Sequence, residues 1–399
     1  MPMSTTNKVT LLLLTIGAIM FLPMIGAYIH HDYSFPDGFF AYPMLSFEEK
    51  PAFSWPIFIF FALAGFVFIL IYLFPSWFWF KPQPKGPRIK VKKVAFPIWG
   101  WIGLISYGTT AFFLWTKSHE MVLLLHWSDI PLFWGLFLVI DGITYVRNGG
   151  RSMVSHRIQE VIGIGMASAF GWMLFEYLNF FVDDNWYYPF GDIIDREVFL
   201  LYAIVISTGL LPLSFAFYEL FNTFRVFNNR YTNGLKIVLP EWLKSTLIIF
   251  CLLGLLGSGL FPDFLFFSLW LAPGILIALV LDKVGYWTPL TSIGKGNWRP
   301  ALVFALTYLA AGFCLEGENY LSGIHSASGD VTFTMAPAYW QYNLPYVNKF
   351  HLFEMPIVGF LGYLPFSLYC WVWWIAFAKM QGIPSKFFKE EAFEKITES

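Results

Sequence analysis

The chain has 399 residues, of which 57% are hydrophobic, 21% aromatic and only 13% charged. Soluble proteins carry about a quarter charged residues, so this composition excludes an ordinary water-soluble domain. The 25 basic and 26 acidic side chains nearly cancel. This balance argues against a nucleic-acid partner, because binding phosphates requires a basic surface. The mean hydropathy of +0.59 and the repeated long apolar runs predict a polytopic membrane protein.

Apolar runs of about 18 residues or more predict an all-α fold with about ten transmembrane helices. The first run follows Lys8, but no small-residue cleavage site comes after it. We therefore expect a retained helix, not a cleaved signal peptide. With ends uncertain by several residues, the predicted spans are 9–29, 55–74, 97–115, 130–146, 161–181, 198–221, 242–260, 264–281, 300–315 and 353–378.

Charged residues separate by sign across these spans. Cations gather in the loops that follow even-numbered spans, as in the basic segment between Lys81 and Lys93. Most loop acids lie in the loops on the opposite side, for example Asp183 and Asp184. Since cytoplasmic loops of membrane proteins carry the excess of Lys and Arg, both termini are predicted to be cytoplasmic.

Five short patterns recur in the same order at an offset of roughly 140 residues, with one insertion in the second copy. The matched segments are 96–99 with 239–242, 141–145 with 282–286, 176–179 with 316–319, 186–189 with 340–345, and 209–214 with 362–367. Each copy has an even number of spans, so the two are expected to face the same way. We predict a two-helix segment with a basic cytoplasmic loop (1–89), two parallel four-helix repeats (90–235 and 236–385) and a cytoplasmic tail (386–399).

A carboxylate and an amide share one helical face near the outer end of a span in each copy. Glu176 with Asn179 and Glu316 with Asn319 have the i, i+3 spacing that places both side chains together. Acids at the edge of hydrocarbon are costly to keep ionised and often mark function. One interpretation makes Glu176 and Glu316 catalytic acids beside ligand-binding residues; another makes them helix caps beside an interfacial aromatic belt. The predicted ligand-binding residues are Asn179, Trp186, Tyr188, Asn319, Trp340, Tyr342 and Glu354.

Other polar positions suggest weaker sites. Asp141 and Asp282 lie at the ends of the fourth and eighth spans. The favoured interpretation is that each pairs with the basic loop that follows it, Asp141 with Arg147 and Arg151 and Asp282 with Lys283. The alternative is that they line an inner vestibule. Glu219 is expected to pair with Arg225. Prolines in segments 209–212 and 362–365 predict kinks inside the sixth and tenth spans.

Histidines and cysteines predict no cofactor and no metal site. All seven histidines lie in loops or at span ends, which excludes paired histidines around a membrane-embedded haem. Cys251, Cys314 and Cys370 stand singly in apolar segments, as buried hydrophobic residues do. An outer metal site using His351 and Glu354 remains the alternative.

Three stretches resemble an uncharacterised family of bacterial polytopic membrane proteins. They are segment 96–101, segment 175–179 with 186–188, and segment 353–366 with its Phe-Glu-Met-Pro and Gly-Tyr-Leu-Pro-Phe sequences. The resemblance covers most of the chain after residue 90 and implies a location in the bacterial inner membrane, but it transfers no activity. A fainter likeness to membrane-integral carotenoid cyclases rests on the membrane-edge acids and aromatics; the paired-glutamate motif of those enzymes is not visible here.

Three functions fit these patterns. The first is an inner-membrane subunit or scaffold whose aromatic, acid-containing outer loops dock partner membrane or periplasmic subunits, or apolar lipid. The second is an enzyme or binder for an isoprenoid, carotenoid or quinone-like lipid, with Glu176 or Glu316 as proton donor. The third is a transporter, suggested by the repeats and the predicted kinks. Membrane lipids are expected partners in all three, and nucleic acid in none.

Overall fold

The computed structural model describes residues 3–47, 49–81, 91–228 and 230–388. Within these ranges, every predicted apolar run contains one long helix. The predicted basic residues Lys85, Arg88 and Lys90, the outer acid Glu48 and tail residues 389–399 lie outside the described ranges. The long helices are α1 Thr5–His30, α2 Trp55–Leu73, α3 Ile98–Trp115, α4 Asp129–Arg147, α5 Ile158–Asn179, α6 Arg196–Asn222, α7 Glu241–Leu260, α8 Ser268–Lys283, α9 Arg299–Ser322 and α10 Tyr363–Gln381.

The predicted class, a mostly helical protein with many membrane-length helices, is confirmed. Eight helices in the described ranges are long and apolar enough to cross a membrane. Helices α3 and α8 are not among these eight. Helix α8 has only 16 residues, which at 1.5 Å per residue is about 24 Å, shorter than a typical hydrocarbon core of about 30 Å.

Helix packing follows the same order in both predicted copies. Helix α3 packs against α4 and α7 against α8; α5 packs against α6 and α9 against α10; α4 packs against α6 and α8 against α10. Helices α6 and α9 also contact each other across the two groups, as do α5 and α10. The close approach of α3 and α4 depends on Gly103, where an added Cβ would lie 2.6 Å from the carbonyl oxygen of Gly135.

The tenth helix begins later than the sequence predicts. Residues His351–Leu352 and Met355–Pro356 form two paired strands, and a 3-10 helix, Ile357–Gly362, precedes α10. Pro365 therefore lies in the first turn of α10, where a missing N–H breaks no helical hydrogen bond. The predicted kink inside this span is wrong, whereas Pro212 does lie inside α6.

The predicted ion pairs at the other end of the bundle are also wrong. Asp141 accepts hydrogen bonds from Trp99 Nε1 (3.0 Å), Ser152 Oγ (2.7 Å) and the backbone N–H groups of Met153 and Val154, instead of pairing with arginine. It thereby caps the short helix Met153–His156, whose first N–H groups have no helical acceptor.

The other two acids at this end have different partners from those predicted as well. Asp282 pairs with Lys244 (2.7 Å), which reaches it from α7. Glu219 pairs with Arg157 and Lys386, each at 3.1 Å. In each case the partner comes from a separate element brought close by folding, not from the loop that follows the acid in sequence.

At the end of the bundle where α5 and α9 terminate, three chain segments fold together into what we call the cap: residues 31–47 with 49–54, 180–195 and 323–362. The amide N–H of Tyr188 donates to the carbonyl of Met44 (2.6 Å), and that of Ser54 to the carbonyl of Tyr346 (2.9 Å). The loops thus fold back over the helix ends. The cap strands are β1 Trp186–Tyr187, β2 Gly323–His325, β3 Val331–Thr334, β4 Gln341–Tyr342, β5 His351–Leu352 and β6 Met355–Pro356, paired antiparallel as β1–β4, β2–β3 and β5–β6.

Candidate functional site: two buried glutamates under the cap

Glu176 lies in the last turn of α5 and is bound by side chains of the cap. Its carboxylate accepts a hydrogen bond of 2.5 Å from the hydroxyl of Tyr188 and longer ones of 3.3 and 3.4 Å from Nε1 of Trp186. All three side chains are buried. The structure therefore brings together the acid and the two aromatic residues that the sequence pattern associates with it.

Asn179 completes this first site by holding the backbone of the same loop. Its Nδ2 donates to the carbonyl of Trp186 (2.8 Å), and its Oδ1 accepts from the amide N–H of Asn185 (2.9 Å). The i, i+3 spacing on α5 thus has a structural consequence. The acid holds the loop's side chains while the amide holds its main chain.

Glu316 on α9 forms an equivalent site in the second half of the chain. Its carboxylate accepts from the hydroxyl of Tyr342 (2.6 Å) and from Nε1 of Trp340 (3.3 Å). A third donor is the hydroxyl of Tyr363 at the start of α10 (2.6 Å), which the sequence analysis missed. Tyr363 belongs to the recurring 362–367 segment and aligns there with Leu210. The presence of a tyrosine at a position where the other copy has a leucine is the signal that could have identified this donor.

Asn319 repeats the role of Asn179. Its Nδ2 donates to the carbonyl of Trp340 (2.8 Å), and its Oδ1 accepts from the amide N–H of the same residue (3.1 Å). Both predicted Glu-x-x-Asn pairs therefore hold a Trp-x-Tyr segment of the cap against the end of a helix.

The two held segments pair with each other. Strands β1 and β4 are antiparallel, with Trp186 opposite Tyr342 and Tyr187 opposite Gln341. Tyr187 also donates its hydroxyl to Oε1 of Gln341 (2.8 Å). If Trp186 is equivalent to Trp340 and Tyr188 to Tyr342, this register is centred on the Tyr187–Gln341 pair. A two-fold axis relating the two sites would pass between these two residues.

Glu354 lies in a different hydrogen-bond network, whose direct contacts to the carboxylate come from the second half of the chain and which Tyr187 of the first half joins through Gln341. Its carboxylate accepts from Nε2 of Gln341 (2.9 Å), from the hydroxyl of Tyr339 and, at 3.1 Å, contacts Nε2 of His325. The ring of Tyr320 stacks on His325 with centroids 4.0 Å apart. His325 and Tyr339 were missed because they lie in the insertion of the second copy and have no counterpart in the first.

The phenols around these sites are neutral hydrogen-bond donors. Burial, and then the neighbouring Glu176, raises the pKa of Tyr188 well above its usual value. Burial and Glu316 have the same effect on the pKa of Tyr342. Among the described residues, no cation forms an ion pair with either glutamate. The chemistry of both sites is that of a buried acid surrounded by neutral donors.

The structure gives no metal centre in the part of the chain that it describes, since no group of three or more His, Cys, Asp or Glu side chains lies close enough to hold an ion. His351 and Glu354 lie on a β-hairpin, not on the helical face that the sequence predicted. Nε2 of His351 contacts Oδ1 of Asn348 (3.0 Å), and burial lowers the pKa of this histidine.

An apolar groove lies apart from both acids. Its volume is about 660 Å³, and it is lined by residues of the α3–α4 connection and the start of α4, including Leu123, Leu124 and Trp127. Neither Glu176 nor Glu316 lines it. The predicted catalytic acids and this apolar groove are therefore separate features of the molecule.

Comparisons with protein families, with curated proteins and with solved structures give no match for this chain.

Proposed function

We propose that this protein is a membrane-integral scaffold or complex subunit whose cap is a preformed docking surface on the extracytoplasmic side. The observation that carries the proposal is that both buried glutamates form hydrogen bonds within the protein itself. The oxygens of Glu176 and Glu316 accept hydrogen bonds from the cap's own Trp and Tyr side chains. This arrangement favours a structural role, in which the acids hold the cap in a fixed shape, over a catalytic role, in which their oxygens would be available to a substrate.

The surface of the cap supports a docking role. Tyr33, Phe47 and Phe350 are each at least half exposed although they lie in cap loops and not on the long helices. Aromatic side chains exposed outside hydrocarbon are typical of protein interfaces. A cap with a fixed shape also lowers the entropic cost of binding, because little of the surface must be ordered on association.

The membrane arrangement that we propose has ten spans, including α3 and α8, and two parallel four-helix repeats. The matched helix contacts of the two halves support it, because α3–α4 and α7–α8 take equivalent places. The matched Glu-Asn sites and the centred β1–β4 register add to this support. Cations on one side and acids on the other favour an inner-membrane orientation with both termini in the cytoplasm.

Site-specific photocrosslinking in cells that make the protein natively tests the docking proposal. A benzophenone amino acid is placed at Tyr33, Phe47 or Phe350, and matched control probes at Val238 and Trp242, which are exposed near the start of α7. We expect one discrete protein adduct from the cap positions that the controls do not give. A protein that crosslinks only to lipid at all five positions, and that runs as a lone monomer in mild detergent, would contradict the proposal.

A second candidate function is binding or conversion of an apolar lipid, and the groove beside Leu123, Leu124 and Trp127 favours it. Lipid extracted from the purified protein should then contain one isoprenoid-like species at a fixed ratio. If Glu176 or Glu316 acts on that lipid, Glu176→Gln and Glu316→Gln should change its amount or its chemical form. Unchanged lipid content in both variants would remove the acids from this candidate, and the absence of any lipid at a fixed ratio would remove the candidate itself.

A further inference from the structure

A third glutamate of the cap end, Glu318, differs from the two described above. It lies on α9 and its side chain is buried, with 4% of its surface exposed. Neither of its carboxyl oxygens has a partner at hydrogen-bonding distance and angle among the described residues, and the one donor that acts on it from farther away is the hydroxyl of Tyr107 on α3. Glu316, two positions earlier on the same helix, has three donors. The fold therefore supplies Glu316 with three hydrogen-bond donors, whereas it leaves the carboxyl oxygens of Glu318 without a donor at hydrogen-bonding distance.

The surroundings of Glu318 are apolar and contain no counter-charge. Leu315 and Tyr107 belong to a small hydrophobic cluster built on Leu114, Leu125 and Phe133, separate from the main core. The ionisable groups that act on Glu318 within the described residues are Tyr107 from α3, Asp129 from α4 and Cys314 from α9 itself. Asp129 in turn accepts from the hydroxyl of Tyr202 on α6 (2.8 Å). None of these groups is a cation.

A water-sized cavity lies one helical turn from Glu318, toward the cap. Ser322, at i+4 on the same helix, lines it together with Leu125, Ser118 and Thr334. The amine of Lys117 lies at this cavity and donates to the carbonyl of Leu321; its partial burial lowers the pKa of the amine to about 8. A cavity of this size with several polar groups suits roughly one water molecule, which can carry a proton but not a larger ligand.

An ionised carboxylate buried in a membrane span without a counter-charge costs several kcal/mol. The absence of a three-ligand acid or histidine group in the described ranges argues against a metal ion as its partner. We propose that Glu318 is a proton-binding site that exchanges its proton through the water-sized cavity at the cap. The ligand is a proton, and the route is the one lined by Ser118 and Ser322.

Infrared difference spectroscopy of the full-length protein tests the bound proton. The spectrum of the wild type minus that of Glu318→Gln at neutral pH should contain the carbonyl stretch of a protonated acid, shifted by D₂O. A difference spectrum with carboxylate bands alone would overturn the proposal. The glutamine side chain has the same shape, and an unchanged Tm of this variant shows that it folds.

Carbodiimide labelling of the wild type needs no variant and gives an independent result. A protonated carboxyl adds across the N=C bond, with its oxygen going to carbon and its proton to nitrogen, so that nothing leaves. Peptide mass mapping should show Glu318 labelled about tenfold faster than Glu316, whose three hydrogen bonds favour the ionised form. Equal rates at the two residues, or no adduct at Glu318, would contradict the proposed site.

The route has its own test. Ser118→Leu places a larger, apolar side chain in the lining of the cavity and should slow deuterium exchange of the acid band several-fold. The matched control is Leu123→Phe, which changes an exposed residue of the neighbouring segment and should leave the exchange rate as in the wild type. An unchanged rate in Ser118→Leu would overturn the route through this cavity.

Discussion

The Glu176 site and the Glu316 site share a plan but differ in how many groups hold the acid. Both have a carboxylate bound by a Trp and a Tyr of the cap, and an asparagine bound to the cap backbone. Only Glu316 has a third donor at hydrogen-bonding distance, Tyr363, where the first copy has Leu210; the indole of Trp172 on α5 also interacts with Glu176, but more weakly than Tyr188 and Trp186 do. The shared part is what holds a loop on a helix end. The added part ties α10 to the same acid, so the second site joins three elements instead of two.

The largest effect is expected on removing the acids. Glu316→Ala leaves three buried donors unpaired, and at about 1–3 kcal/mol each we expect a loss of roughly 4 kcal/mol in the free energy of unfolding. Glu176→Ala leaves two donors unpaired, for roughly 3 kcal/mol. The melting temperatures of the wild type and the two variants, measured in the same detergent, show which variant loses more stability. An equal or larger loss for Glu176→Ala would break the proposed difference between the sites.

A smaller and equal effect is expected for the amides. Asn179→Ala and Asn319→Ala each remove two hydrogen bonds to the cap backbone, so each should cost about 2 kcal/mol. Limited proteolysis should cut the cap near residues 183–188 in the first variant and near 335–345 in the second. If the two losses differed by more than about 1 kcal/mol, the two amides would not have the same role.

Tyr363→Phe should cost about 1 kcal/mol, because one hydrogen bond is lost while the ring stays in place. In this background, Glu316→Ala should lose only as much as Glu176→Ala does in the wild type. The control is Leu210→Met, which keeps the volume at the corresponding position and adds no donor. If the double variant kept the full loss of Glu316→Ala, the third donor would not explain the difference.

At neutral pH, the buried phenols give no pH dependence, and their effect appears only in alkali. The folded-state pKa values of Tyr188 and Tyr342 lie above the unfolded value near 10. Their contribution to stability is therefore complete below pH 10 and is lost as the pH rises from 10 through the folded-state value. Tyr188→Phe and Tyr342→Phe should each flatten the alkaline fall in Tm. An unaltered profile would show that these phenols titrate as exposed ones do.

The sequence predicts much of the fold because lipid requires long apolar runs, and those runs are visible directly. The pairing of Glu176 and Glu316 with nearby Trp and Tyr was also predictable, because the same spacing occurs twice. The partners of Asp141 and Glu219 were not, because Ser152 and Lys386 reach them only after folding. The start of α10 was missed because segment 353–362 is apolar enough to continue a helix, yet Met355–Pro356 in this segment pairs as β6 with the preceding strand β5.

The environment of Glu318 could not be predicted from the sequence either. In the sequence it is one more acid beside Glu316, and no pattern separates the two. Only the fold shows that three donors bind one carboxylate and that none lies at hydrogen-bonding distance and angle from the other.

The central claim is that the two glutamates hold the cap in one shape through the β1–β4 pair. Hydrogen–deuterium exchange of the cap peptides in the wild type, Glu176→Gln and Glu316→Gln tests it most directly. We predict faster exchange at residues 185–188 and 340–343 in both variants, because each strand protects the other. Exchange at the level of the wild type in both segments would contradict the claim and return the two acids to the role of candidate catalytic groups.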